Sequence, residues 1–296
     1  MDAPAALRAA HLVDASALAA LLAGDAPPVV LDVRWALGAP DGRAAHRAAR
    51  VPGSTYVDLE TELAGHGAPT DGRHPLPDVA DLQAAARRWG VGAGQAVVVL
   101  DDVAGLSAAR AWWLLRWAGL ADVRLLDGGL TAWRAAGLPL ASGDPVAPAP
   151  GDVVLRGGAL PTVDADGAAA LAARGRLLDV RAGERYRGET EPVDPRAGHV
   201  PGALSAPTAE TLDAAGALVP STTLEKRFAA LGTAPGERVG VSCGSGVTAA
   251  HAALTLVLSG REPVLFPGSW SAWANDPARP VAVGAEPWGS DGPTSA

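Results

Sequence analysis

The chain has one cysteine, Cys243, and the residues around it are of the types that make a thiol reactive. A short apolar segment, 239–241, precedes it and is typical of a buried strand, and an alanine-rich segment of helical composition follows. The junction comprises Cys243, Gly244, Ser245, Gly246, Val247 and Thr248. Two glycines permit a tight loop whose backbone N–H groups turn inward, and the helix N-terminus adds the positive end of its dipole. The pattern predicts a loop that binds an anionic sulfur.

A thiolate at neutral pH is a nucleophile that can carry a transferred group covalently. By residue type alone a lone cysteine is more often buried and inert. The strand, loop and helix around Cys243 favour the reactive interpretation, because such a position can lower a cysteine pKa from about 8.5 to roughly 3.5–7.5. A single cysteine also excludes an internal disulfide and a zinc site built on cysteine pairs. We therefore expect Cys243 to be a catalytic nucleophile.

The elements that would position this loop occur twice in the sequence. Three marks recur in the same order about 140 to 150 residues later: 29–34 as 177–181, 51–53 as 200–202, and 126–133 as 266–273. Solenoid repeats are about 20 to 50 residues long. A period of this length therefore indicates a duplicated domain.

Within each half, short β-branched runs alternate with helix-length segments rich in Ala, Leu and Arg. This alternation predicts an α/β protein of two tandem domains, each a mainly parallel sheet covered by helices. The expected boundaries are an N-terminal domain at 5–140, a Pro- and Gly-rich linker at 141–160, a catalytic C-terminal domain at 161–282, and a loose tail at 283–296.

The composition narrows the classes of function. A hydrophobic share of 48% with a mean hydropathy of +0.15 is typical of a globular protein, and a net charge of −8 argues against binding nucleic acid or anionic membranes. No signal pattern opens the chain and no apolar run could span a bilayer, so a cytoplasmic location is expected. No Cys/His cluster or phosphate-binding glycine motif is present, so we expect neither a metal nor an organic cofactor.

Taken together, these marks resemble the rhodanese family, and within it the tandem-domain thiosulfate and 3-mercaptopyruvate sulfurtransferases. The resemblance covers nearly the whole chain and is carried by residues 178–181, 198–203, 243–248 and 267–270, with their repeats in the first half. It implies that a sulfur atom moves as a persulfide on Cys243, from a small-molecule donor to a thiol or cyanide acceptor. A thioredoxin-like reductant is a candidate partner.

The loop of this family also indicates a donor. Members that use thiosulfate typically carry basic residues directly after the cysteine, where this chain has Gly244 and Ser245. The resemblance therefore implies 3-mercaptopyruvate as donor, with Ser245 hydrogen-bonded near the transferred sulfur. Arg187 matches the family's substrate arginine, and a guanidinium can bind a carboxylate bidentately. Arg196 lies near the second such arginine but at a different offset, so thiosulfate remains an alternative donor.

The first domain has no cysteine, and Asp101 stands at the position equivalent to Cys243. By resemblance this domain is catalytically silent and forms a wall of the active-site cleft. His74 lies where related mercaptopyruvate enzymes place a cleft histidine from the first domain, and Asp58 and Glu60 are candidates to orient it. The alternative for all three is a solvated position in a loop.

Two other functions compete with sulfur transfer. The same fold can host a cysteine phosphatase, but the sixth residue after Cys243 is Ala249, so the arginine that would clamp phosphate oxygens is missing. A non-catalytic interaction module made of two degenerate domains is the second alternative. The intact cysteine loop argues against it, and an activity measurement decides between them.

Overall fold

The computed structural model describes residues 3–39 and 41–289, which divide into two compact units. Unit 1 contains the residues up to Gly65 together with Leu76–Leu160 and Leu212–Leu218. Unit 2 contains His66–Pro75, Pro161–Thr211 and the residues from Val219 onward. The segment His66–Pro75 therefore belongs to unit 2 although it comes from the first half of the sequence.

Unit 1 is built on a five-stranded parallel sheet with strand order β1-β5-β4-β2-β3. The strands are β1 (Leu12–Val13), β2 (Val29–Asp32), β3 (Thr55–Tyr56), β4 (Val97–Leu100) and β5 (Val123–Leu126). The helices of this unit are α1 (Ala3–His11), α2 (Ala15–Leu22), α3 (Arg43–Ala48), α4 (Leu59–Glu62), α5 (Val79–Arg88), α6 (Ala108–Trp117) and α7 (Gly129–Ala135).

The central strand of unit 1, β4, is buried because helices cover both faces of the sheet. All four residues of β4 are buried, as expected for a strand with helices on both faces. Helix α6 packs beside it and is buried over most of its length, including the adjacent Trp112 and Trp113. Helices α2 and α5 begin at aspartates, Asp14 and Asp78, whose carboxylates accept backbone N–H bonds from the first turn.

Unit 2 repeats this architecture with a four-stranded parallel sheet of order β7-β6-β8-β9. Its strands are β6 (Leu177–Asp179), β7 (Leu204–Ser205), β8 (Arg238–Ser242) and β9 (Glu262–Leu265). Its helices are α8 (Ala165–Ala172), α9 (Gly183–Tyr186), α10 (Ser221–Ala230), α11 (Val247–Leu258) and α12 (Ser269–Asn275). A bridge from Thr162 to Leu265 adds a parallel partner outside β9, where unit 1 has β1.

The two sheets have the same strand order, and the repeated sequence marks fall at equivalent places. Asp32 and Arg34 form a buried ion pair at the end of β2, at 2.9 Å, and Asp179 and Arg181 form one at the end of β6, at 2.6 Å. Because the pair occurs in both units, with and without a cysteine, it serves the fold. The predicted duplicated α/β architecture is confirmed.

Two segments without regular structure pack on these units. In the predicted linker, Val153 and Leu155 are buried, and Val153 N–H donates to the carbonyl of Val91. In the predicted tail, Pro287 accepts a hydrogen bond from Gly202 N–H, so the described part of that tail is held by unit 2 rather than loose. The rest of the predicted tail, 290–296, lies outside the described residues. In the part of the chain that the structure describes, no helix has the length and apolar character needed to cross a membrane.

Candidate active site

Cys243 follows the last residue of β8, the strand at the middle of the unit 2 sheet. The carboxyl ends of parallel strands are where loops of α/β proteins carry their sites. The cysteine is 3% exposed, and its sulfur accepts the N–H of Gly246 at 3.1 Å. Gly246 has a φ of 82°, a conformation that suits glycine, and α11 starts at the next residue, Val247. A sulfur bonded to a helix N-terminus is well placed to hold negative charge.

The start of α12 fixes the backbone of the cysteine loop. The N–H of Cys243 donates to Oγ of Ser269 at 3.1 Å, and the Cys243 carbonyl accepts the N–H of Trp270 at 3.0 Å. The next carbonyl, that of Gly244, accepts the N–H of Ser271 at 2.8 Å. Three hydrogen bonds to one helix N-terminus therefore hold the residues on which the chemistry depends.

The segment His66–Pro75 packs against the same helix. Gly72 has a φ of +91°, and a Cβ added to it would lie 2.6 Å from the carbonyl oxygen of Gly268, so a larger residue could not fit. The next backbone N–H, that of Arg73, donates to Oγ of Ser271 at 3.1 Å. This close approach brings Arg73 and His74 to the cysteine loop.

His74 and Ser245 form a buried hydrogen-bonded pair. The His74 Nδ1 and Ser245 Oγ atoms are 2.7 Å apart, and the two residues are 4% and 6% exposed. An imidazole bonded to a hydroxyl can take or supply a proton through that hydroxyl. The structure thus brings together three of the predicted site residues, Cys243, Ser245 and His74.

Two arginines that the sequence did not single out lie beside Gly244. A Cβ built on Gly244 would be 3.2 Å from Nη2 of Arg73 and 3.4 Å from Nη1 of Arg185. The loop itself carries no cation, so these guanidiniums supply its positive charge. A glycine at 244 leaves the space that they occupy.

Each of these guanidiniums is paired with a carboxylate of the loop after α9. Arg73 pairs with Asp194, and Arg185 Nη2 bonds Glu191 at 2.6 Å. Glu191 also pairs with Arg181 at 3.3 Å. Burial raises the pKa of Asp194, with Glu191 adding to the rise, and Arg73 opposes it.

The arginines predicted to bind the donor are engaged elsewhere. Arg187, at the C-terminal end of α9, is partly exposed and bonds Glu189 with two nitrogens at 2.7 and 2.8 Å. Arg196 donates to four backbone carbonyls at and beyond the C-terminus of α12, those of Trp273, Ala274, Asp276 and Arg279. A guanidinium is a natural cap for the unpaired carbonyls of a helix end. Donor binding by Arg187 and Arg196 stays a prediction, for which these contacts offer little support.

The other residues singled out from the sequence have structural contacts. Asp58 caps α4 by accepting the N–H groups of Glu60 and Thr61 and pairs with Arg43 at 2.6 Å, while Glu60 accepts the indole N–H of Trp35. In the loop, Val247 is buried in the first turn of α11 and Thr248 is partly exposed. Within residues 3–39 and 41–289, no group of three or more His, Cys, Asp or Glu side chains is placed to hold a metal ion.

Unit 1 has a carboxylate where unit 2 has the cysteine. Asp101 follows β4, and its carbonyl accepts the N–H of Leu130 at 2.8 Å, as the Cys243 carbonyl accepts that of Trp270. The Asp101 carboxylate accepts four backbone N–H bonds at 2.7 to 2.9 Å, from Val103, Gly105, Ser107 and Ala108. The loop of unit 1 is therefore an anion-binding turn filled by its own side chain.

The fold and the cysteine loop define a class of protein, and comparison with known proteins shows the same class. The family model described as Rhodanese-like domain matches residues 14–136 and again residues 164–276. The chain belongs to the rhodanese family, with two copies of its domain, as the resemblance implied.

Its relatives include named sulfurtransferases. The chain is 45% identical, over 92% of its length and 97% of the relative's, to the "Putative thiosulfate sulfurtransferase SseB" of Mycobacterium tuberculosis. It is 44% identical, over 94% of its length and all of the relative's, to the "Probable 3-mercaptopyruvate sulfurtransferase" of Pseudomonas aeruginosa. Among solved structures, the 3-mercaptopyruvate sulfurtransferase of Escherichia coli superposes with a TM-score of 0.77 at 30% identity, covering 88% of this chain and 98% of that one.

Proposed function

We propose that this protein is a 3-mercaptopyruvate sulfurtransferase that carries sulfur as a persulfide on Cys243. The observation that carries the proposal is the buried Cys243 sulfur, which accepts the N–H of Gly246 at 3.1 Å in the same loop as the Ser245–His74 pair. This arrangement supplies a nucleophile, an N–H donor that stabilises the negative charge on its sulfur, and a hydrogen-bonded pair that can relay a proton. The relative in Pseudomonas aeruginosa and the structural neighbour in Escherichia coli support the choice of donor.

In the first half-reaction the Cys243 thiolate attacks the thiol sulfur of mercaptopyruvate. A sulfur–sulfur bond forms, the carbon–sulfur bond breaks, and its electron pair remains on the CH2 group as the enolate of pyruvate. The sulfur's proton stays on the new persulfide or leaves to solvent, and the enolate takes up one proton to become pyruvate. Ser245, hydrogen-bonded to His74, is the group that would deliver that proton.

In the second half-reaction an acceptor thiolate or cyanide attacks the outer sulfur of the persulfide. The sulfur–sulfur bond breaks and its electron pair returns to Cys243 as a thiolate, which the N–H of Gly246 stabilises. The acceptor leaves as a persulfide or thiocyanate, and a thioredoxin-like dithiol would release hydrogen sulfide. We infer a cytoplasmic location, because a thiol that must be free in every cycle suits a reducing compartment.

Donor binding needs a cation near the loop, and Arg185 is the better candidate than Arg187. Arg185 bonds Glu191 through Nη2 but places its Nη1 beside Gly244, whereas Arg187 directs Nε and Nη2 to Glu189 and is not among the neighbours of Gly244. A guanidinium can bind the carboxylate of mercaptopyruvate through two parallel hydrogen bonds. Thiosulfate is the second candidate donor, and the relative in Mycobacterium tuberculosis favours it by name.

The test combines intact mass and steady-state rates. Incubation with mercaptopyruvate should add the mass of one sulfur atom to the protein and release one pyruvate, with ping-pong kinetics in the presence of a thiol. Cys243→Ser should fold normally, take up no sulfur and transfer none, because a hydroxyl cannot form a persulfide. A wild-type protein that gains sulfur only from thiosulfate would overturn the choice of donor, and transfer by Cys243→Ser would overturn the mechanism.

A further inference from the structure

The cysteine loop has two guanidiniums beside it but little net charge. Arg73 and Arg185 lie nearest Gly244, and Arg181 joins them through Glu191, which it shares with Arg185. Three carboxylates pair with these three cations: Asp179 with Arg181, Glu191 with Arg181 and Arg185, and Asp194 with Arg73. The six charges therefore sum to zero.

Asp194 is the carboxylate whose hydrogen bonding is incomplete. Its side chain is 1% exposed, and its Oδ2 atom has no hydrogen-bond partner among the described residues. That atom lies 3.5 Å from Nη2 of Arg185, which is too long for a good hydrogen bond. The buried Nε atoms of Arg73 and Arg185 also lack a partner within the described part of the chain.

Buried polar atoms without partners are costly, and a fold normally satisfies them. Here three such atoms occur together, beside the residue next to the nucleophile. The cluster holds guanidiniums whose charge is balanced but whose hydrogen bonds are incomplete, as expected for groups that bind a ligand. The affinity of this site should then depend on the number of negative charges on the ligand. Each of those charges needs a cation, and carboxylates of the protein already neutralise the cations present.

We propose that Asp194 determines which donor the site accepts, by neutralising Arg73 beside the cysteine loop. With Arg73 paired to Asp194, the single carboxylate of mercaptopyruvate meets Arg185, whose Nη1 lies beside Gly244 while its Nη2 bonds Glu191. A dianion such as thiosulfate would need the second guanidinium, and Asp194 competes for it. This inference rests on the proposed sulfur-transfer function and names a specificity-determining residue for it.

The test is Asp194→Asn, which removes the charge and keeps the shape. The ratio of kcat/KM for thiosulfate to kcat/KM for mercaptopyruvate should rise at least about tenfold. In Arg73→Gln the ratio should fall by a similar factor, because the unpaired Asp194 then repels the dianion more strongly. The double variant removes a neutral pair, so its ratio should return to within about threefold of wild type.

Asp166→Asn is the matched control, because Asp166 forms an exposed pair with Arg279 at 2.8 Å and should leave the ratio unchanged. Binding measured in a Cys243→Ser background, with thiosulfate and pyruvate as probes, separates this proposal from the proposed function. Asp194→Asn should tighten thiosulfate binding more than pyruvate binding, whether or not the wild type turns mercaptopyruvate over. An unchanged ratio of the two binding constants in Asp194→Asn would overturn the proposal. If that variant does not fold, an unchanged kcat/KM ratio in Arg73→Gln would do so.

Discussion

The hydroxyl oxygen of Ser269 lies 3.1 Å from the backbone nitrogen of Cys243 and accepts its N–H. Ser269 is fully buried and has a φ of 51°, a left-handed conformation that costs a non-glycine residue about 1 to 2 kcal/mol. In unit 1 the corresponding residue, which also starts a helix after the last strand, is Gly129, with a φ of 56°. Unit 2 thus tolerates backbone strain at the point where a side chain can hold the cysteine.

Ser269→Gly should therefore lower activity without a matching loss of stability. Glycine removes the hydrogen bond to Cys243 but also relieves the left-handed strain, so the free energy of unfolding should change by less than about 1 kcal/mol. The kcat for sulfur transfer should fall about threefold to tenfold, because the cysteine loop loses one of its anchors. Steady-state kinetics and denaturant unfolding measure the two quantities.

Ala104→Gly is the control for this experiment. Ala104 is in unit 1 and has a φ of 61°, so glycine relieves similar strain there without touching the cysteine loop. It should keep full activity. A Ser269→Gly protein with wild-type kcat would show that the hydrogen bond to Cys243 has no catalytic importance.

Much of the fold could be predicted from the sequence because it depends on local patterns that repeat. Strand segments such as β4 are apolar throughout since both faces are covered, and the strand, glycine loop and helix around Cys243 are contiguous. Because the domain is duplicated, most elements occur twice in the sequence and the two copies can be compared. The repeat predicts Asp101 as the counterpart of Cys243, and the structure places both residues after middle strands of their sheets.

The charged part of the site could not be predicted, because it depends on contacts between distant residues. Arg185 lies in α9 and Arg187 is the residue that caps its C-terminus two positions later, so their side chains are rotated by about 200° around the helix axis and only one can face the loop. Sequence similarity favoured Arg187, whereas Arg185 is the one beside Gly244. For Arg73, the sequence indicates a place in the site only through its position directly before the predicted site residue His74.

The Ser245–His74 pair should affect mercaptopyruvate more than thiosulfate. Ser245→Ala and His74→Gln should each lower kcat/KM for mercaptopyruvate by about tenfold to a hundredfold, because the pyruvate enolate loses its proton donor. When thiosulfate is the donor, the leaving group is sulfite, which takes up no proton on carbon. The kcat/KM for thiosulfate should therefore fall less. Since the two groups act through one hydrogen bond of 2.7 Å, the double variant should be little worse than either single one. Fully additive losses would contradict a shared proton relay.

Arg185 and Arg187 provide a matched pair of variants for donor binding. Arg185→Gln should raise KM for mercaptopyruvate by about tenfold or more, because a charge-assisted hydrogen bond to the carboxylate is lost. Arg187→Gln should have little effect, since its partner is the exposed Glu189. Initial rates over a range of donor concentrations measure both. The opposite result, with the larger increase in Arg187→Gln, would return the donor-binding role to Arg187.

Asp101→Asn should destabilise unit 1 without changing the chemistry. The carboxylate accepts four backbone N–H bonds, and an amide replaces one acceptor oxygen with a donor that faces two of those N–H groups. The loss should be about 2 to 4 kcal/mol in the free energy of unfolding. The kcat per folded molecule should equal that of wild type. A large fall in kcat would show that unit 1 takes part in catalysis beyond its fold.

The last prediction concerns His251, which lies in the middle of α11 and is fully buried. Neither ring nitrogen has a hydrogen-bond partner among the described residues, and burial lowers the His251 pKa from 6.5 to about 4. The unfolded chain therefore binds a proton between about pH 6.5 and pH 4 that the folded protein does not. The free energy of unfolding is therefore unaffected by His251 protonation above about pH 6.5. It decreases as the pH falls towards 4, by up to about 3 kcal/mol, because the proton stabilises the unfolded chain.

His251→Leu should remove this dependence. Near pH 7.5 the variant should be more stable by about 1 kcal/mol or more, because two unpaired buried nitrogens are gone, and its advantage should grow as the pH falls to 4.5. His11 and His46, whose pKa values are also lowered to about 4 by burial, and Asp32, whose pKa burial raises to about 6, titrate in the same window. His11 and His46 add to the loss of stability at low pH, and Asp32 opposes it.

The difference in free energy of unfolding between His251→Leu and wild type isolates His251, because these other groups are common to both proteins. Urea unfolding at several pH values measures it, with the exposed His66→Gln as control, and a constant difference between pH 7.5 and 4.5 would contradict the prediction.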